Sequence, residues 1–200
     1  MMIDSGAHSF QKGKKVDWLA YTKQYAEFIK NNDDPKIVGY FEMDVDNIIG
    51  YDNVLKLRKV LTAVSDKIIP VWHKNRGIAE FKAMCQEYSG KVVAITGFRN
   101  EDIRDEQYPL FLKEAKKWNC RVHCLGMTRE KVLEKVPFDY TDSASWKLRT
   151  TYGKIRGVKG RVKKGIDVKT GWSQVWAYSY IDAMRQQDKF YEKWKWYNKD

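Results

Sequence analysis

The chain has 200 residues, 43% hydrophobic and 32% charged, a composition that fits one ordinary globular domain and excludes a disordered chain. No stretch approaches the roughly 20 apolar residues of a membrane span, and Met1-Met2-Ile3-Asp4 lacks a signal peptide's apolar run, so a cytoplasmic protein is expected. The net charge is +11, and residues 147–169 carry +8 of it, which points to a polyanionic partner such as nucleic acid and away from a membrane partner.

Residues 1–4 form a short apolar run stopped by Ser5-Gly6. Residues 16–31 place Trp18, Leu19, Thr22, Tyr25, Ala26 and Ile29 on one helical face. Beyond Pro35, residues 37–43 read as a strand ending at Asp44, and 53–66 have helical period. Residues 68–72 are a strand ending at His73, followed by a helix over 78–88 and a stop at Ser89-Gly90. A strand over 92–96 ends at Gly97. A helix over about 101–118 follows, with Pro109 a break or new start inside it. Residues 121–125 are a strand ending at Gly126; Thr128 is a candidate cap for a helix over 129–135. The last strand, 137–141, ends at Asp142. Residues 152–169 read as a glycine-rich basic hairpin or loop, and 172–197 as a helix whose aromatic face packs on the body of the domain.

Six strands alternating with helices imply a parallel sheet covered on both faces. Each strand ends in a polar residue or a glycine: Asp4, Asp44, His73, Gly97, Gly126 and Asp142. A (β/α) barrel gathers such ends into one ring, whereas an open sheet spreads them along a line. The expected fold is therefore an α/β TIM-type barrel, incomplete or atypically closed because eight strands are not evident. Its core is residues 1–150, and 151–200 complete the same domain. The three cysteines, Cys85, Cys120 and Cys124, lack framework spacing and suit a reducing compartment. Strand alternation sends Cys120 and Cys124 to one face and His123 to the other, so no metal is expected there.

Several segments carry a family resemblance in order. They are Ile3-Asp4-Ser5-Gly6-Ala7, Phe41-Glu42-Met43-Asp44, Pro70-Val71-Trp72-His73 and Ala94-Ile95-Thr96-Gly97. Then come Arg121-Val122-His123-Cys124-Leu125-Gly126 and the run from Pro137 to Asp142-Ser143-Ala144-Ser145-Trp146. Together they resemble the tRNA/DNA-guanine transglycosylases (the queuine tRNA-ribosyltransferase-like family), most of all its short phage members. The resemblance spans about residues 1–150. Full-length relatives have two further barrel strands before the Asp-Ser-Gly motif and a zinc site after the nucleophile. Here the motif opens the chain, and no cysteine or histidine follows Cys124.

The resemblance implies exchange of guanine in nucleic acid, DNA more than tRNA, for a 7-deazaguanine base, without a cofactor. It implies Asp142 as the nucleophile that forms a covalent glycosyl intermediate and Asp4 as the acid/base. Asp44 would bind the base edge. Ser5, His73 and His123 would line the pocket, and Gly97 and Gly126 would let backbone amides approach the base. The basic residues after the motif, Lys147, Arg149, Lys154, Arg156, Lys159, Arg161, Lys163 and Lys164, are our own candidates for phosphate contacts beside an unstacked guanosine. Without the resemblance, Asp142-Ser143 reads as a helix N-cap and Asp4-Ser5-Gly6 as a turn. Asp46 competes with Asp44, Asp139 competes with Asp142, and either histidine can be a satisfied core residue. A tRNA-directed enzyme, a base-removing hydrolase and a catalytically silent nucleic-acid-binding protein stay open, as do a homo-oligomer and a partner subunit.

Overall fold

The computed structural model describes residues 1–10, 16–96, 103–142, 146–147 and 168–197. Among them, short parallel strands alternate with helices. The first half holds β1 (Met2–Ile3), α1 (Trp18–Asn31), β2 (Gly39–Phe41), α2 (Asp46–Ile49), α3 (Tyr51–Thr62), β3 (Ile68–Ile69) and β4 (Val71–Trp72). The second holds α4 (Gly77–Glu87), β5 (Val92–Thr96), α5 (Tyr108–Lys116), β6 (Arg121–Leu125), α6 (Glu130–Leu133), β7 (Tyr140–Thr141) and α7 (Val168–Trp194). The result is a mixed α/β fold with two parallel sheets, ordered β1-β2-β3 and β4-β5-β6-β7. Register runs Ile3 to Tyr40 and Phe41 to Ile69 in the first sheet, and Val71 to Ala94, Ala94 to His123 and His123 to Tyr140 in the second.

The expected single strand over 68–72 is split at Pro70, for a local reason. Proline offers no N–H to a ladder. Its carbonyl accepts from Ala94 N–H at 2.9 Å, and Val71 N–H donates to the Glu42 side chain at 2.7 Å instead of to β2 backbone. The chain thus leaves β2 and joins β5 at the proline. At the start of β2, Gly39 has no room for a side chain: a Cβ would lie 2.8 Å from the Lys67 carbonyl oxygen and 2.7 Å from Ile69 Cδ1.

Alternation along the strands sorts the apolar residues into layers. Val93, Ile95, Val122 and Cys124 face α4, α5 and α6, where they meet Phe81, Met84, Phe111 and Leu112. Tyr40 and Ile68 face α1 and α3, against Tyr25, Ile29, Leu57 and Leu61. The opposite faces of both sheets share a smaller cluster of Phe41, Ile69, Val71, Val92 and Ala94, with Met2, Leu125 and Tyr140 against it.

Several boundaries differ from expectation. The strands read as 1–4, 37–43 and 137–141 shorten to their central or final residues, while 92–96 and 121–125 hold as read. Residues 46–49 form a short helix where the sequence pattern predicts no element. Pro109 marks a new start, since α5 begins at Tyr108 with the proline in its first turn. Thr128 is not the cap of α6; Arg129 occupies that position without a side-chain cap bond.

Helix α7 begins at Val168, earlier than the expected 172. It docks through one end. Phe190 enters the large core, Trp194 Nε1 donates to the Leu133 carbonyl at 2.8 Å, and Lys189 and Lys193 bracket Glu134 at 2.5 and 2.7 Å. The expectation of a packed aromatic face holds only there: Trp176, Tyr180 and Tyr191 are 45%, 49% and 65% exposed. A 27-residue helix is about 40 Å long, well beyond the short α6 that anchors it. No helix among the described residues is long and apolar enough to cross a membrane.

Candidate active site

Because all strands are parallel, their C-terminal ends lie on one side of the sheets, the side where α/β folds bind ligands. Asp4 follows β1, Glu42 and Asp44 follow β2, His73 follows β4, Gly126 follows β6 and Asp142 follows β7. A cleft of about 1350 Å³ opens there, and Asp4, Ser5, Asp44, His73, His123, Gly126 and Asp142 all line it. Of the residues expected at the site, those seven are brought together. Gly97 lies outside the described residues, as do Arg149, Lys154, Arg156, Lys159, Arg161, Lys163 and Lys164. Lys147 is described and exposed, next to Trp146 on the cleft wall.

Asp142 is held by two donors on one oxygen. His123 Nε2 donates to Oδ1 at 3.1 Å and Gly126 N–H at 2.9 Å. Partial burial pushes the carboxyl pKa up, but these hydrogen bonds outweigh it and hold the group below its ordinary value. Gly126 has φ +68°, a conformation that aims its N–H at Asp142 and that side-chain-bearing residues rarely adopt. His123 and Gly126 both line the cleft, and both direct a polar atom to Asp142. The His123 ring is fixed from behind by Phe41, edge-on at 5.0 Å, and its Nδ1 lies 3.2 Å from Met2 Sδ. The competitor Asp139 has other work: it accepts from Val122 N–H at 2.7 Å and ties the approach to β7 onto β6.

Asp4 is exposed, and one of its oxygens accepts from Gly6 N–H at 2.8 Å in a tight turn. Ser5 is buried beside it, with its carbonyl accepting from the Tyr21 hydroxyl at 2.8 Å. The turn reading and the site reading of this motif are therefore compatible: the turn is what presents the carboxylate to the cleft.

Asp44 and Asp46, competitors in the sequence, are set apart by the fold: β2 stops at Phe41 and Asp46 opens α2. Asp44 reaches the cleft with His73 Nε2 at 2.5 Å from its Oδ1. Asp46 is buried behind it, bound to Arg76 Nε at 3.1 Å and Asn75 at 3.3 Å, with His73 at 3.8 Å. Burial lowers the His73 pKa, but Asp44 and Asp46 more than offset it and raise it above the ordinary imidazole value. Donor atoms of Asp44, Asp46 and His73 lie within 4.8 Å of one another, the one grouping among the described residues that could share a metal cation. Cys120 and Cys124 sit in the large core while His123 faces the cleft, as strand alternation predicts.

A charged network that the sequence pattern does not single out lies beneath this site. Glu42 is fully buried, with Arg58 Nε at 2.6 Å, Arg58 Nη2 at 3.1 Å, Val71 N–H at 2.7 Å and Arg76 Nη1 at 3.6 Å. Arg76 also donates to the Val71 carbonyl and stacks its guanidinium 4.1 Å from the Tyr51 ring centroid. A signal for it was present. Arg58 occupies the same helical face as Val54, Leu57 and Leu61, where a charge demands a buried partner.

Searches of family models, curated proteins and solved structures return no match to this chain.

Proposed function

We propose that this protein is a guanine transglycosylase that exchanges guanine in nucleic acid, DNA before tRNA, for a 7-deazaguanine base. The observation that carries this reading is the pairing of Asp142, held ionised by His123 and the Gly126 N–H, with Asp4 and Asp44 in one cleft. Retaining chemistry at a sugar C1′ needs such a set: a carboxylate nucleophile and a second carboxyl group that shuttles a proton.

In the first half-reaction the Asp142 carboxylate bonds to C1′ as the C1′–N9 bond to guanine breaks. Asp4 donates the proton that the departing guanine takes up. In the second, Asp4 removes the N9 proton of the incoming base, whose nitrogen bonds to C1′ and releases Asp142. Asp44, backed by His73, accepts hydrogen bonds from the N–H edge of the base in both halves. The buried Glu42–Arg58–Arg76 network holds the strand ends that carry Asp44 and His73.

The fold we propose is an incomplete (β/α) barrel. Strand neighbours follow chain order with no reversal, as in a barrel and unlike a doubly wound sheet. The edges of β1 and β7 have no partner strand among the described residues, so closure is left to the side chains between them, such as Met2 against His123.

The test mixes the protein with guanine-containing single-stranded DNA, duplex DNA or tRNA, with and without a 7-deazaguanine base. Labelled guanine release and covalent adducts on denaturing gels are the readouts. Release and adduct on one polymer, both abolished by Asp142→Ala, are expected. Binding without release on every polymer would replace this reading with that of a silent binding protein.

A further inference from the structure

Behind the cleft wall, one oxygen of the Asp46 carboxylate goes unanswered. The side chain is 1% exposed. Its Oδ2 is held by Arg76 Nε at 3.1 Å and Asn75 Nδ2 at 3.3 Å. Its Oδ1 has no hydrogen-bond partner among the described residues and faces His73 Nε2 from 3.8 Å, beyond hydrogen-bond reach. His73 cannot serve it. Nε2 carries at most one proton, and Asp44 Oδ1 lies nearer, at 2.5 Å. A carboxylate oxygen this deeply buried is costly without a partner.

A cation answers all three groups at once. One ligand atom from each of Asp44, Asp46 and His73 lies within 4.8 Å of the others. Donors around a tetrahedral cation, each about 2.1 Å from it, stand about 3.4 Å apart. The 2.5 and 3.8 Å separations at His73 bracket that spacing. Charge points the same way. Glu42, Asp44 and Asp46 meet two guanidinium groups, Arg58 and Arg76, so the cluster is negative when His73 is neutral. An imidazole nitrogen with two carboxylates suits a first-row transition metal, whereas Mg²⁺ and Ca²⁺ prefer oxygen alone.

We propose that Asp44, Asp46 and His73 bind a divalent transition-metal cation of the Zn²⁺ type. Arg76 and Asn75 hold Asp46 from behind and fix which oxygen it presents. Asp44 and His73 line the cleft, so the cation has buried protein on its inner side and the cleft on its outer side. Three protein ligands with a further position open is the pattern of a site that admits water or a bound molecule, not of a closed structural site. The proposal is independent of base exchange. Asp44 is fixed through Oδ1 in either case, by the cation or by His73 alone.

The test is calorimetric titration of the full chain, stripped with EDTA and dialysed, with ZnCl₂ and separately with MgCl₂. No nucleic acid enters it. Wild type is expected to bind one equivalent of Zn²⁺, and to bind Mg²⁺ roughly a hundredfold more weakly or not at all. Asp46→Asn and His73→Gln should each weaken Zn²⁺ binding by roughly a hundredfold. His73 is 17% exposed on the cleft wall, so His73→Gln carries the test should Asp46→Asn fail to fold by circular dichroism. Asp142→Ala should bind Zn²⁺ as wild type does, even though it ends exchange. No Zn²⁺ binding by wild type, or equal affinity for Zn²⁺ and Mg²⁺, overturns the site without reference to any variant's folding. So does Zn²⁺ binding that survives His73→Gln or is lost in Asp142→Ala, because the cation then sits elsewhere. Zn²⁺ bound as expected, with no guanine release on any polymer, removes the transglycosylase reading alone.

Discussion

Asp142 sits where burial and hydrogen bonding oppose each other, and hydrogen bonding wins. Its folded pKa is below the ordinary 3.8, so the anion is present above that value and is lost only as pH falls through the lower folded pKa. His123→Ala removes one donor and leaves burial in place, which should move the acid limb of adduct formation to higher pH. A pH–rate profile with the limb unmoved would show that Gly126 alone sets it. Glu42 is the opposite kind of residue, a structural charge with no exposure. Removing one member of a buried ion pair strands the other, so Glu42→Ala should cost about 3–5 kcal/mol in urea unfolding. A cost below about 1 kcal/mol would mean that water reaches Arg58. The two residues also mark what could be read in the sequence. The placement of Asp142, Asp4, Asp44, His73 and His123 at the cleft was legible because each sits in a strand or within three residues after one, and parallel strands send such residues to one side. Glu42 and Arg58 were legible only in combination, a carboxylate within an apolar run and a cation on an apolar helix face. Their pairing lies 16 residues apart and needs three dimensions.

The elements divide by how local their causes are. Strands β5 and β6 match their expected bounds because both are continuous apolar runs closed by turn residues. The 68–72 strand breaks at a residue whose missing N–H was visible, yet the switch of partners depends on Glu42 standing in for backbone. The short α2 and the true start of α7 had no strong local signal. Helix α7 shows how tertiary context decides burial: Phe190 and Trp194 find the core, while Trp176, Tyr178, Tyr180 and Tyr191 do not. Its docking should therefore be separable from the rest of the fold. Phe190→Ala deletes its main apolar anchor, a change worth about 3–5 kcal/mol at a buried phenylalanine. The expected result is faster hydrogen exchange across residues 168–194 with β5 and β6 still protected. Equal loss of protection in all three would show that α7 unfolds only with the whole chain.

At the scale of the molecule, two asymmetries meet. One side of the parallel sheets collects the strand ends, and one segment of the sequence collects the charge. The first was legible as alternation of strand and helix; the contact between the two sheets was not, because it joins side chains such as Met2 and His123 that meet 121 positions apart. The second is plain in the sequence, where it begins directly after Trp146, a residue of the cleft wall. If that segment holds phosphates, its effect is electrostatic and must depend on salt. Each phosphate contact on a single strand adds about 0.7 to the slope of log affinity against log salt. Replacing Lys154, Arg156 and Lys159 together with glutamine should flatten that slope by about 2 and weaken binding most at low salt. A variant with unchanged slope would place the phosphate contacts elsewhere, with the lysines near the far end of α7 next to be replaced.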